Sequence, residues 1–227
     1  MSAAQAERDF DFEQARFNLV EQQIRPWNVI DERVLAVLGG VPREDFVPPR
    51  YRNSLAFADL NLPLGHGEVM MTPKQEARLL QSLQVRPEDE ILEVGTGSGY
   101  VTACLARLGG RVHSVDIHED FLEAADRKLL AHGITNVTLE QRDAASGWPE
   151  SDRFDVIAVT GSLPELHRGF HRALRPGGRL FLIVGSPPLM EARLITRESE
   201  DQWFDEPLFE TAIPPLVNAP HHVHFTL

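Results

Sequence analysis

The chain has 227 residues, with 22 Lys and Arg against 34 Asp and Glu, a formal charge of -12, and 42% hydrophobic and 25% charged residues. Those proportions belong to a folded globular chain, and the length suits one compact core with added segments. No dense Lys/Arg stripe offsets the repulsion of a phosphate backbone, so nucleic acid is not an expected partner, and no apolar run is long enough to cross a bilayer.

Residues 1–14 are polar and acidic and lack a secretory-signal pattern, so a cytoplasmic location is expected. Apolar spacing at Phe12, Ala15, Leu19, Val20 and Ile24 predicts a helix ended by Pro26, and Asp31 is a candidate N-cap for a second helix over 32–38, stopped by Gly39 and Gly40. From 41 to 73 the chain is punctuated by Pro42, Pro48, Pro49, Pro63, Gly65, Gly67 and Pro73, which predicts ordered loop with little regular structure. Regular alternation then begins. Helices are expected over 74–83, 100–108, 119–132 and 164–174, and strands over 90–94, 111–117, 137–141, 154–159 and 179–184. Short apolar strands alternating with amphipathic helices predict an α/β doubly wound, Rossmann-like sheet with parallel strands and helices on both faces.

The expected organisation is a helical and loop cap over the site at 1–73, a ligand-binding core at 74–186, and an extension at 187–227 completing the sheet. In the extension, 193–197 and a strand-like 222–227 are the expected elements, and the acidic run Glu198, Glu200, Asp201, Asp205 and Glu206 reads as solvated loop. His221, His222 and His224 have no Cys or carboxylate cluster nearby, so no metal site is expected. The lone Cys104 lies in an apolar helix and reads as a core thiol.

The chemistry is concentrated at Glu93-Val94-Gly95-Thr96-Gly97-Ser98-Gly99. A strand running through glycines into a helix lets backbone N–H groups meet a ligand at the helix N-terminus. The dinucleotide fingerprint places its third glycine three positions after the second, whereas Gly99 is two after Gly97. Glu93, an acid inside an apolar strand, needs loop amides or a cationic ligand, and a sulfonium cofactor bearing an ammonium supplies the latter. Asp116 ends the second strand at the spacing where an acid accepts ribose hydroxyls, while Asp143 ends the third and is placed to receive an adenine amino group.

These residues, together with Val41-Pro42-Arg43-Glu44-Asp45-Phe46-Val47-Pro48, Pro63-Leu64-Gly65-His66-Gly67, the segment from Phe154 to Thr160 and Pro176-Gly177-Gly178, resemble the protein-L-isoaspartate O-methyltransferase family of class I S-adenosylmethionine-dependent methyltransferases. The resemblance spans most of the chain. It implies methyl transfer from S-adenosyl-L-methionine, leaving S-adenosyl-L-homocysteine, to the carboxylate of an altered aspartyl residue in damaged protein or peptide, by a monomer or homodimer. It further implies a cofactor site at Glu93, Gly95, Thr96, Gly97, Ser98, Gly99, Asp116, Ile117, Asp143 and Ala144, with Thr160 at its floor near the transferred methyl. Where the family carries Thr-Ile-Ser-x-Pro, this chain has Val69-Met70-Met71-Thr72-Pro73, so Met71 takes the position of the serine held to contact substrate. Thr72 brings a hydroxyl one residue on, and His66 is the candidate base for an acceptor that needs deprotonation, so Thr72, Thr160 and His66 are the candidate catalytic groups. The departure at Met71 leaves open a different methyl acceptor, or a cofactor binder without turnover.

Overall fold

The computed structural model describes residues 10–220. Helix α1 (Phe12–Asn18) runs directly into a π-helical turn, Leu19–Ile24, which buries Leu19, Val20 and Ile24. Asp31 accepts from the backbone N–H groups of Arg33 and Val34 and starts α2 (Glu32–Gly40), as its sequence position predicts. A short helix α3 (Arg43–Phe46) follows.

The stretch read as loop holds more structure than its proline and glycine content suggests. β1 (Leu62–Gly65) and β2 (Glu68–Met70) form an antiparallel hairpin, with Leu62 opposite Met70 and Pro63 opposite Val69. Leu62 and Met70 are buried and anchor its base, while the turn residues Gly65, His66 and Gly67 all have positive φ. Pro63 is tolerated because the pair has free edges.

Thr72 then caps α4 (Pro73–Leu83) through a reciprocal capping box: its hydroxyl accepts from Gln75 N, and the Gln75 side chain accepts from Thr72 N. The core continues with β3 (Glu90–Val94), α5 (Tyr100–Leu108), β4 (Arg111–Asp116), α6 (Glu119–Ala131), β5 (Val137–Gln141), β6 (Phe154–Leu163), β7 (Leu174–Ser186), β8 (Leu189–Arg197) and β9 (Trp203–Glu210). These seven strands form one sheet in the order β5-β4-β3-β6-β7-β8-β9. The doubly wound reading therefore holds, with a mixed rather than wholly parallel sheet: β7, β8 and β9 pair antiparallel.

Alternation along β3 sends Ile91 to one face, packed with Leu79, Ala103 and Leu105 from the helices, and Leu92 and Val94 to the other, with Phe154, Leu180 and Leu182. Leu19, Val34, Leu38 and Phe46 from the N-terminal helices join the first of these clusters. Cys104 is fully buried within it, and burial pushes its thiol up.

Three expectations are corrected. Segment 164–174 is turn ending in a 3-10 helix, His171–Ala173, not an α-helix. Gly169 lies so close to Ser146 that a Cβ would sit 2.0 Å from the Ser146 carbonyl oxygen, and Trp148 N donates to Gly169 O at 3.1 Å; this docking overrides the helical spacing. Asp205 and Glu206 lie on the edge strand β9 rather than in a loop, where exposed acids keep a free sheet edge from recruiting another strand. The extension contributes β8 from Leu189 and all of β9, and the expected strand at 222–227 lies outside the described residues. No helix among the described residues is long and apolar enough to cross a membrane.

Candidate functional site

The strand order reverses between β4 and β6 about β3, and the crevice at the carboxyl ends of such strands is where open α/β sheets place their ligands. A cleft opens there, with about 80 Å³ of enclosed space and the rest of it open to solvent. Gly95, Gly97, Asp116, Ile117, Asp143, Ala144 and Thr160 all line it. An inner chamber with about 40 Å³ of enclosed space shares Leu64, Val69, Gly95, Gly97 and Thr160 with the cleft and adds Thr96 and Ser98.

The turn after β3 is held from several sides. Gly95 N and Thr96 N both donate to Val115 O, at 2.8 and 3.2 Å. Gly97 N donates to Asp116 Oδ2 at 2.8 Å, and Asp116 Oδ1 accepts from His118 N at 2.9 Å. Asp116 is thus fixed by two backbone donors, and a carboxylate so held keeps lone pairs for a ligand hydroxyl. Gly95 has φ +101°, and a Cβ there would meet Thr160 Oγ1 at 2.3 Å. Only glycine fits between the turn and its floor. The Thr160 hydroxyl is hydrogen-bonded to the carbonyls of Gly95 at 2.6 Å and Val94 at 3.0 Å, so its proton is engaged within the protein.

Glu93 lines neither cavity. It is completely buried beneath the turn on the α5 side, where Oε2 accepts from Thr102 Oγ1 at 2.5 Å and Ser114 Oγ at 2.6 Å, and Oε1 has no hydrogen-bond partner among the described residues. Burial pushes its carboxyl up to about 8, against the pull of the Ser114 and Thr102 hydroxyls. Gly99 also faces away from the ligand space: at φ +82° it begins α5, and a Cβ would lie 2.9 Å from Ala125 Cβ. Asp143 lines the cleft with Oδ1 accepting from Ala145 N at 3.1 Å and Oδ2 from Asn218 Nδ2 at 2.8 Å.

The three candidate catalytic groups are dispersed. Thr160 is at the floor. Thr72 is committed to the cap of α4 and lines neither cavity. His66 sits in the exposed hairpin turn at the rim, stacked on His118 with ring centroids 4.1 Å apart and 11° between planes, its Nε2 3.1 Å from Asp120 Oδ2. Ligand-type atoms of His66, His118 and Asp120 lie within 4.8 Å of one another, a juxtaposition the sequence does not foretell. Near-parallel rings cannot both aim an in-plane lone pair at one ion, so the arrangement is that of a hydrogen-bonded stack. Met71 is buried and lines the inner chamber, and its carbonyl accepts from Arg43 Nη2 at 2.8 Å.

Several lining residues escaped the sequence reading. Glu68, His118 and Phe121 form one wall of the cleft. Another comes from the segment after β9, which returns to the end of β6 through Ser162 N to Pro214 O at 3.0 Å and Leu216 N to Ser162 O at 2.9 Å, bringing Ile213, Pro214 and Leu216 to the mouth. Nothing local in sequence marks that return. Glu76, on α4, lines the inner chamber.

The profile of the family described as protein-L-isoaspartate(D-aspartate) O-methyltransferase matches residues 14–219. A protein-L-isoaspartate O-methyltransferase of Brucella anthropi is 34% identical over 208 residues, 91% of this chain and 95% of that protein. Protein-L-isoaspartate O-methyltransferase 1 of Rhodopseudomonas palustris is 36% identical over 207 residues, 91% of this chain and 84% of that one. Among solved structures, a Plasmodium falciparum protein-L-isoaspartate O-methyltransferase in complex with S-adenosyl-L-homocysteine superposes with a TM-score of 0.74 over 91% of this chain and 98% of its own, at 20% identity, a likeness of fold.

Proposed function

The chain belongs to the protein-L-isoaspartate(D-aspartate) O-methyltransferase family, and we propose that it transfers a methyl group from S-adenosyl-L-methionine to the carboxylate of an isoaspartyl residue in damaged protein or peptide. The observation that carries this reading is the cleft itself: a glycine turn closed against Thr160, with Asp116 pinned beside it and Asp143 across from it.

The residues fit the cofactor on physical grounds. Gly95 and Gly97 line the cleft without side chains, so a ligand can approach bare backbone there. Asp116 would hold the ribose hydroxyls and Asp143 with Ala144 the adenine, while Glu93 would act from below by fixing Ser114 and Thr102 under the turn. When bound, the cofactor supplies an electrophilic methyl on a sulfonium. An acceptor carboxylate with a pKa near ~4 is ionised at neutral pH, so no protein base has to take a proton. The chain's part would be alignment and exclusion of water: Thr160 supports the floor, the β1–β2 hairpin and residues 213–217 wall the mouth, and His66 and Thr72 need take no part in proton transfer. A cytoplasmic location and a monomer or homodimer accord with this role.

The relatives carrying the isoaspartyl name match nearly their whole length, which favours this acceptor over a different one or over an idle cofactor binder. Methyl release from paired isoaspartyl and normal aspartyl peptides, with radiolabelled cofactor, tests the reading. Turnover confined to the isoaspartyl peptide is expected, and cofactor saturation without turnover on either peptide would refute it.

A further inference from the structure

α4 presents Leu79, Leu80 and Leu83 to the core, and Glu76 lies on that same face, three and four residues before Leu79 and Leu80. Its side chain is 1% exposed. A carboxylate in such a place is costly unless it is paired and hydrogen-bonded. Glu76 has only part of that: Arg43 Nη2 stands 3.4 Å from Oε1, and neither carboxylate oxygen accepts a hydrogen bond from any described residue. Arg43 directs its donors elsewhere, Nη2 to Met71 O at 2.8 Å and Nη1 to Met70 Sδ at 3.1 Å. Burial accordingly pushes the Glu76 carboxyl up to about 8, with Arg43 pulling the other way.

The residue that carries this under-satisfied carboxylate borders ligand space, with both oxygens enclosed. Glu76 lines the inner chamber together with Met70, Met71 and the turn residues Gly95 to Ser98, and the chamber shares Leu64, Val69, Gly95, Gly97 and Thr160 with the cleft. The acids at the tips of β4 and β5 line the outer cleft and not the chamber, so the adenosine end of the cofactor belongs outside and its amino-acid end inside. That end carries an ammonium. An ammonium supplies the donors its oxygens lack and favours its ionised form, which a methyl acceptor that is itself a carboxylate would not do.

We propose that Glu76 is a cofactor-binding residue whose carboxylate receives the α-ammonium of the amino-acid tail of S-adenosylmethionine in the inner chamber. This rests on the cofactor reading above. It assigns the ammonium to α4 rather than to Glu93, which lines neither cavity.

Calorimetric titration of the whole chain with S-adenosyl-L-homocysteine and with 5′-methylthioadenosine, which lacks the amino-acid tail, tests it in the wild type and in Glu76→Gln. The glutamine keeps the volume and cannot ionise to pair with an ammonium. Losing a charged hydrogen bond should weaken S-adenosylhomocysteine binding about ten- to a hundredfold, and methylthioadenosine should bind both proteins within about twofold. Retained methylthioadenosine binding also reports that the variant is folded. Unchanged S-adenosylhomocysteine affinity in Glu76→Gln, or an equal loss for both ligands, overturns the proposal. A wild type that binds neither ligand overturns the cofactor reading and this assignment with it.

Discussion

Gly95→Ala is the sharpest test of how the turn is built. The new Cβ would stand 2.3 Å from Thr160 Oγ1, and the backbone there has φ +101°. Two costs result. A side chain in that conformation is strained by about 1–2 kcal/mol, and the contact forces overpacking worth about 1–3 kcal/mol. Moving the Thr160 hydroxyl away would also break its bonds to the Gly95 and Val94 carbonyls, at about 1 kcal/mol. The two costs can be separated, because Thr160 Cβ would lie 3.7 Å from the new methyl group, an ordinary contact, so Thr160→Ala removes the clash and leaves the backbone strain. Thermal unfolding of the wild type, both single variants and the double variant measures the coupling. Gly95→Ala should cost about 2–3 kcal/mol less in the Thr160→Ala background, a recovery of roughly 4–12 °C in Tm for a chain of this size. Equal costs in the two backgrounds would refute the close approach of floor and turn.

Asp116→Asn should weaken binding of both S-adenosylhomocysteine and methylthioadenosine about tenfold or more, since Asp116 would serve the shared ribose, in contrast to the selective loss expected at Glu76; calorimetry with both ligands decides. The folded chain holds the Glu93 proton up to about 8, whereas an unfolded one releases it near 4.5. The folded state therefore binds more protons in that window, and stability falls as pH rises through it. Glu93→Gln should flatten the decline of Tm between pH 5 and about 8, and an unaltered slope would count against a protonated Glu93. Met71→Ser restores a hydroxyl at the family's serine position, and isoaspartyl peptide methylation should rise by up to about tenfold if one hydrogen bond is gained; an unchanged rate would show that Met71 does not limit the reaction.

The central strand, turn and helix were legible because their signals are local: an apolar run, glycines at fixed spacing, then an amphipathic helix. The acids Asp116 and Asp143 were legible for the same reason, standing where apolar strands give way to polar positions. The β1–β2 hairpin was hidden because its strands are too short for a period, and its prolines and glycines imitate loop. β9 was hidden by Asp205, Glu206 and Pro207, residues suited to a sheet edge and to a loop alike. Glu76 did have a signal, since its spacing to Leu79, Leu80 and Leu83 places it on the buried stripe of α4. Its meaning depends on Arg43 and on the chamber, which only tertiary structure brings together. The return of residues 213–217 to the end of β6 leaves no mark in local composition.

The contact between Gly99 and Ala125 ties the ligand turn to a helix that lies behind it. Ala125 is wholly enclosed and touches no ligand space, yet its methyl group sets how near α6 can come to the start of α5. The curvature of the turn is thereby inherited from the fit of two helices at its back, and a bulkier residue at Ala125 would reshape the pocket without ever reaching into it.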